Sequence, residues 1–253
     1  MQIKKYNFDN SITLFNLGDI HRGNKAHDNN LFKKVVNYIK EHDNCYWLST
    51  GDLLDVTIPS NKFFDFDGLK LESEYEYLIS DLYDIRKKGL CIVGSNHHKR
   101  FERAVGMSLD KMLAKELGID YLGHFGLINI LCGKNSYVTA LHHGIGRGRT
   151  RGSKSNNFER LANLAPCADL YLEGHTHTYD TWKTVNNYID RKRNKTTKML
   201  STFVVTGHCL TWGDSYAAEL KLEEQPKGFA MIELLGSSIG RAEDKKVKVD
   251  LFC

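Results

Sequence analysis

Five apolar runs in this chain each stop at an Asp, Asn or His. Residues 11–17 (SITLFNL) precede Asp19 and His21, residues 45–49 (CYWLS) precede Asp52, and residues 90–93 (LCIV) precede Asn96. Residues 137–141 (YVTAL) run into His142, and residues 168–172 (ADLYL) into Gly174-His175-Thr176-His177. A single ending of this kind means little. Five together require a fold that brings the ends of several strands to one place, which a parallel sheet does at its carboxyl edge. Imidazoles two residues apart point to opposite sides of a strand, so His175 and His177 can converge only through a bend, and Gly174 supplies the means. An isolated HxH is as often a pair of surface histidines as a ligand pair; the other four endings favour ligands.

Between those runs the pattern is that of an α/β protein. Residues 28–41 place Leu31, Val35, Tyr38 and Ile39 at helical spacing with Asp28 or Asn29 as N-cap, so strand, helix and strand open a parallel crossover. At about residues 57–89 an aromatic loop (Phe63, Phe64, Phe66) and an acidic helix over 72–88 read as an elaboration above the sheet end. A helix is expected over about 104–117, closed by Gly118, and another over about 156–164, ended by Pro166. Residues 127–131 and 137–141 flank a turn. From about residue 181 the chain is β-rich, with strands expected over 182–188, 198–205, 228–235 and 247–252. The length of 253 residues suits a single domain, 1–253, with one sizeable core.

Composition narrows the partners. Net charge is +4, too small to imply a nucleic-acid partner by itself. Its distribution says more: residues 121–158 hold cations but no Asp or Glu beyond Asp120 and before Glu159. The six cysteines are far apart and several lie in apolar runs, which fits reduced buried thiols rather than a disulfide framework or a thiolate zinc site. No apolar run approaches the ~20 residues of a membrane helix, and no signal peptide is legible, so a cytoplasmic location without membrane association is expected.

The collected donors are Asp19, His21, Asp52, Asn96, His142, His175 and His177. Mixed oxygen and imidazole ligands without thiolate suit manganese, iron, zinc, cobalt or nickel. Seven protein ligands exceed what one such ion takes and suit two divalent ions, with one carboxylate and a water or hydroxide between them.

These stretches, Asp19-Ile20-His21, Gly51-Asp52-Leu53-Leu54-Asp55, Asn96-His97, His142 followed by Gly144, and Gly174-His175-Thr176-His177, resemble the five ordered motifs of the calcineurin-like metallophosphoesterase superfamily. They extend over about the first two thirds of the chain; each is weak alone and the ordered set is specific. The resemblance implies a four-layer α-β-β-α sandwich of two mixed sheets, with the site at strand carboxyl ends. It implies Asp19, His21 and His177 for the first metal, Asn96, His142 and His175 for the second, Asp52 between them, and manganese as the expected ion. Two registers are open at His142-His143; the family form favours His142. Two departures stand out: Ser95 replaces the glycine usual before the motif's asparagine, and His98 replaces the acid usual after its histidine.

The resemblance further implies a hydrolase acting on phosphate esters by attack of a bridging hydroxide, with His97 assisting the departing oxygen. Asp55 either orients His97 or caps the local backbone. The Asp-x-His-x-Gly form at residues 19–23 is similar to the repair-nuclease branch. With the glycine-rich basic stretch, whose Arg147, Arg149 and Arg151 are candidate substrate-binding residues, it favours a phosphodiesterase on nucleotides, DNA or RNA. A phosphomonoesterase such as a protein phosphatase is the alternative; a non-enzymatic scaffold would be signalled by lost ligands, and none is lost. His27, His42 and His124 are taken as structural, Gly207-His208 as a turn or substrate-side neighbour, and residues 191–195 (RKRNK) as a solvated hairpin turn.

Overall fold

The computed structural model describes residues 3–56, 69–146, 148, 150–213, 223–237 and 247–253. The aromatic loop and both Arg147 and Arg149 lie outside the described residues.

Among the described residues, twelve strands form one continuous mixed sheet that curls over on itself. One half is parallel at its centre. β2 (Ile12–Asn16), β3 (Cys45–Ser49), β4 (Gly89–Ile92) and the short β5 (Asp120–Tyr121) lie side by side. β11 (Gly228–Leu234) pairs antiparallel with β2, and β12 (Val247–Phe252) covers β11. In the other half β1 (Lys4–Phe8) pairs with β6 (Phe125–Cys132), β6 with β7 (Asn135–His142), and β7 with β8 (Leu170–Glu173). β10 (Lys195–His208) lies parallel to β8 and carries the edge strand β9 (Tyr179–Asp190).

The two sheets that the resemblance implies are joined, and a second discrete sheet is not seen among the described residues. The halves meet where Gly207 and His208 of β10 pair with Phe229 and Gly228 of β11. That joint depends on glycine: Gly207 has φ +87°, and a Cβ there would lie 2.3 Å from the Gly228 carbonyl oxygen.

Three apolar clusters explain the layering. Leu14, Leu48 and Val93 from one half meet Ile128, Leu141, Leu172 and Val204 from the other, filling the space inside the curl. Outside the first half, Phe32, Val35 and Ile39 of α1 (Asn29–Glu41), Leu78 and Leu82 of α2 (Leu71–Tyr83), and Leu113 and Leu117 of α4 (Leu109–Leu117) pack on Phe15 and Trp47. Outside the second half, Phe158 and Leu161 of α5 (Arg151–Leu164) pack on Tyr171 and Phe203. Each fully buried side chain of this size contributes roughly 1.5–3 kcal/mol relative to exposure.

Local chemistry sets the helix ends. Asp28 caps α1, its Oδ1 accepting the Leu31 N–H at 3.1 Å. The single helix expected over 104–117 is instead two. α3 (Asn96–Val105) ends at Gly106, in the left-handed region at φ 75°, before Ser108 caps α4; Gly118 closes α4 as expected. α5 starts earlier than composition suggests, because Thr150 accepts the Ser153 N–H and initiates the helix inside the glycine-rich stretch.

Candidate metal centre

The site is built where β2, β3, β4, β7 and β8 end. Beyond β2 and β3 the two chains stay laced: Asp19 N–H donates to the Gly51 carbonyl at 3.0 Å, His21 N–H to Asp52 O at 3.0 Å, and Arg22 N–H to Leu53 O at 2.9 Å. These contacts hold residues in backbone conformations that L-amino acids rarely adopt. Asp19, His21, Asp52, His175 and His177 all have φ between 49° and 70°. Non-glycine residues in that region cost on the order of 1 kcal/mol or more each, and such strain concentrates at functional sites. The bend expected in the Gly174 turn is present, and glycine is required there: a Cβ would sit 2.7 Å from Asp19 Oδ2.

The side chains converge in overlapping groups. Ligating atoms of Asp19, His21 and His177 lie within 4.8 Å of one another, as do those of His21, Asp52 and His97, and those of Asp52, His143 and His175. Asp52 is common to two groups. Asn96 Oδ1 joins the last, 2.6 Å from His143 Nε2 and 3.1 Å from His175 Nδ1.

Imidazole orientation is the sharper observation. His143 is placed with Nδ1 donating to the Thr50 carbonyl at 2.9 Å, so its Nε2, whether it carries a proton or a lone pair, faces Asn96 Oδ1 and Asp52 Oδ2, the latter at 3.1 Å. His175 donates from Nε2 to the Gly146 carbonyl at 2.6 Å, leaving the Nδ1 lone pair on Asn96. His21 donates from Nδ1 to Asp55 Oδ1 at 3.1 Å, and its Nε2 faces His177 Nε2 at 3.0 Å. Asp19 Oδ1 is buried without a hydrogen-bond donor among the described residues, with His177 Nε2 3.8 Å away. Inward imidazole nitrogens, carboxylates and an amide oxygen in a buried place are unfavourable unless protons or cations lie between them, so this donor set fits divalent metal ions.

Charge tells the same story. Burial works against ionising Asp52, but His143 and His97 beside it hold its carboxyl well below the usual range. Burial likewise opposes a charged His143, yet Asp52 and Asp19 raise it to about 9. Burial pushes Asp19 up to about 7 and His97 down to about 4, and holds His177 well below the ordinary imidazole value. Without a metal, a proton on His143 does the work of a cation.

Six of the seven donors expected from sequence are thus brought together: Asp19, His21, Asp52, Asn96, His175 and His177. His142 is not; His143, the other register left open by the sequence, stands with them instead. The reason is the two-residue period of β7. Ala140 packs toward α5 and Leu141 toward the interior, so His142 follows Ala140 and His143 follows Leu141. His142 Nδ1 instead accepts the Gly144 N–H at 2.8 Å.

Asp55 is brought to the site. Its carboxylate holds His21, accepts Asn24 Nδ2 at 3.0 Å and lies 3.9 Å from His97 Nδ1, while its backbone carbonyl accepts His97 Nδ1–H at 2.7 Å. Arg151 is exposed at the start of α5, with Nε 3.4 Å from Asp180. Sequence reasoning missed Asn24 and the backbone carbonyls of Thr50 and Gly146, none of which carries a motif. His208 stacks on His177, ring centroids 5.9 Å apart, and so neighbours the cluster. The remaining histidines have local partners: His27 donates to the Ile20 carbonyl, His42 stacks on Tyr38, and His124 accepts from Lys99.

No family model and no curated protein matches the sequence. Among solved structures, Vps29 complexed with zinc from Entamoeba histolytica matches with a TM-score of 0.45 and 14% identity, over 94% of this chain and 97% of that one. A conserved protein from Streptococcus pneumoniae described as a predicted phosphoesterase gives 0.42 and 13%, over 95% and 90%. The calcineurin-like phosphoesterase YfkN from Bacillus subtilis gives 0.47 and 10%, over 96% and 91%. Identities and scores this low leave the weight on the residues of the site.

Proposed function

We propose that this chain is a calcineurin-like metallophosphoesterase that hydrolyses a phosphodiester, in a nucleotide or a nucleic acid. The observation that carries the proposal is the convergence of three imidazoles: His21, His143 and His175, each with one ring nitrogen engaged and the other turned inward, meet Asp52 and Asn96. Asp19, His21 and His177 would hold one divalent ion, Asn96, His143 and His175 a second, with Asp52 serving both; manganese is the first choice. When bound, such ions acidify water and neutralise phosphoryl oxygens.

The chain's own residues supply the rest. Asp55 and Asn24 keep the His21 ring in its ligand orientation, and the Thr50 and Gly146 carbonyls do so for His143 and His175. His97 is held by the Asp55 carbonyl, with Nε2 3.9 Å from Asp52 Oδ2 and its side chain 18% exposed, so it can meet a substrate. Burial favours its neutral form, but an arriving phosphate anion favours the protonated one, and its role is to give that proton to the leaving oxygen. The preference for a diester rests on the Asp-x-His-x-Gly form at residues 19–23 and on cationic Arg147, Arg149 and Arg151, the last exposed. A single domain, 1–253, is part of the same proposal.

The test is hydrolysis by manganese-loaded protein of a nitrophenyl monoester, a bis-nitrophenyl diester, cyclic nucleotides and DNA, with Asp52→Asn as the inactive control. A diester should be preferred. His97→Ala should retain the metals and lose roughly a hundredfold in turnover, less on good leaving groups. Preference for the monoester would transfer the proposal to a phosphomonoesterase, and no turnover on any ester would remove it.

A further inference from the structure

His98 stands where the family resemblance expects an acid, and it is 1% exposed. Its two ring nitrogens are both engaged, in opposite senses. Nδ1–H donates to Asp110 Oδ1 at 2.6 Å, and Nε2 accepts the Leu54 N–H at 3.1 Å. Asp110, in the first turn of α4 and 3% exposed, also accepts the Ser95 N–H on Oδ2 at 3.3 Å. Asp110, His98 and the Leu54 amide therefore form a chain joining α4, α3 and the segment that carries Asp52.

That chain does not stand alone. The His97 N–H donates to Asp52 Oδ1 at 3.2 Å, and His97 Nδ1–H to the Asp55 carbonyl. The first turn of α3, bearing Asn96 and His97, is thus stitched to residues 52, 54 and 55 by three consecutive bonds. His98 supplies the only one of the three that comes from a side chain other than His97 or Asp52.

We propose that Asp110 and His98 are a positioning pair: by fixing the His98 proton on Nδ1, Asp110 leaves Nε2 as an acceptor for the Leu54 amide and so sets the distance between Asp52 and the Asn96-His97 turn. The pair touches no substrate and is not catalytic. It rests on the dinuclear reading only for its consequence, since Asp52 and Asn96 are assigned there to shared and second-ion ligation. Donor direction carries the idea. An amide in place of Asp110 can offer N–H to His98 Nδ1, which moves the ring proton to Nε2, where it opposes the Leu54 N–H. An isosteric, uncharged replacement would then break a bond one residue further on.

The experiment compares wild type, Asp110→Asn and His98→Gln. Glutamine can accept from Leu54 and donate to Asp110, so it should preserve the link. In metal-free protein, Asp110→Asn should raise hydrogen exchange at the Leu54 and His97 amides about tenfold or more, leaving α1 amides unchanged, and the His98 nitrogen spectrum should change from the Nδ1–H to the Nε2–H tautomer. His98→Gln should stay near wild type. With manganese loaded, Asp110→Asn should lose roughly tenfold in affinity for the second ion or in kcat, KM being little changed, in the range typical of groups that orient metal ligands. Wild-type exchange and kcat in Asp110→Asn, or an Nε2–H tautomer in the wild type, would overturn the proposal. Failure of wild type to bind two ions would instead overturn the dinuclear reading while the exchange and tautomer results still decide this one. If Asp110→Asn does not fold, loss of Leu54 protection in folded His98→Gln would count against the glutamine-compatible link.

Discussion

Protons and metal ions compete for the same atoms in this site. Without metal, burial opposes the charge on His143 but Asp52 and Asp19 raise it to about 9, while burial raises Asp19 to about 7. An entering cation must displace whatever protons are bound. Below about pH 7 both groups carry one, so affinity should rise most steeply there; above it His143 still carries one and His21, raised by Asp55 and Asp52 against its burial, adds to the protons displaced, so the rise should continue to about pH 9. Calorimetry in buffers of different ionisation enthalpy measures the protons released, and pH-independent affinity would contradict this account. At this scale most of the site was legible from sequence, because ligand types at the ends of apolar runs betray where strands deliver them. At residues 142–143 the last residue of the run points to His142, whereas the two-residue period within it favours His143. Tyr137, Thr139, Leu141 and His143 share one side of β7, and Leu141 is interior. Asn24, Asp110 and the Thr50 carbonyl were not legible, since they act through contacts 12 to 93 residues away in sequence.

Elements were read best where a cap and a period agree. α1 has both, with Asp28 accepting the Leu31 N–H and Lys227 paired to the same carboxylate. Asp28→Ala should lower stability by about 1 kcal/mol, visible as a lower Tm, and leave metal stoichiometry unchanged because α1 contributes no donor. An unchanged Tm would mean that the cap is already satisfied by solvent. α3 was missed because its sequence, NHHKRFERAV, has a single large aromatic and no apolar stripe. Its first turn is held by the site rather than by a core, through His97 and His98 to residues 52–55. α5 was read too short because Gly152, Ser153 and Ser155 resemble a loop. Its start is fixed by the Thr150 cap and by Lys154, whose Nζ lies 3.0 Å from Asp180 in a buried pair.

For the whole molecule, the curl of one sheet is what turns five strand ends into one site. Gly207 and Gly228 let β10 meet β11, and the next residue, His208, comes to rest on His177. The sequence pattern identifies strands but not their joining, because the joint consists of two residue pairs and its signal is only two glycines among twenty-one. No helix among the described residues is long and apolar enough to cross a membrane. Strand pairing places loops from residues 19 to 177 around a shared carboxylate, where two metal ions are proposed to lie. The most direct measurement is anomalous diffraction from manganese-soaked crystals of wild type, His142→Ala and His143→Ala. Wild type and His142→Ala should each show two peaks about 3.5–4 Å apart, one beside Asp19, His21 and His177 and the other beside Asn96, His143 and His175, both touching Asp52; His143→Ala should lose the second. A single peak in wild type, or loss of the second peak in His142→Ala with retention in His143→Ala, would contradict the account.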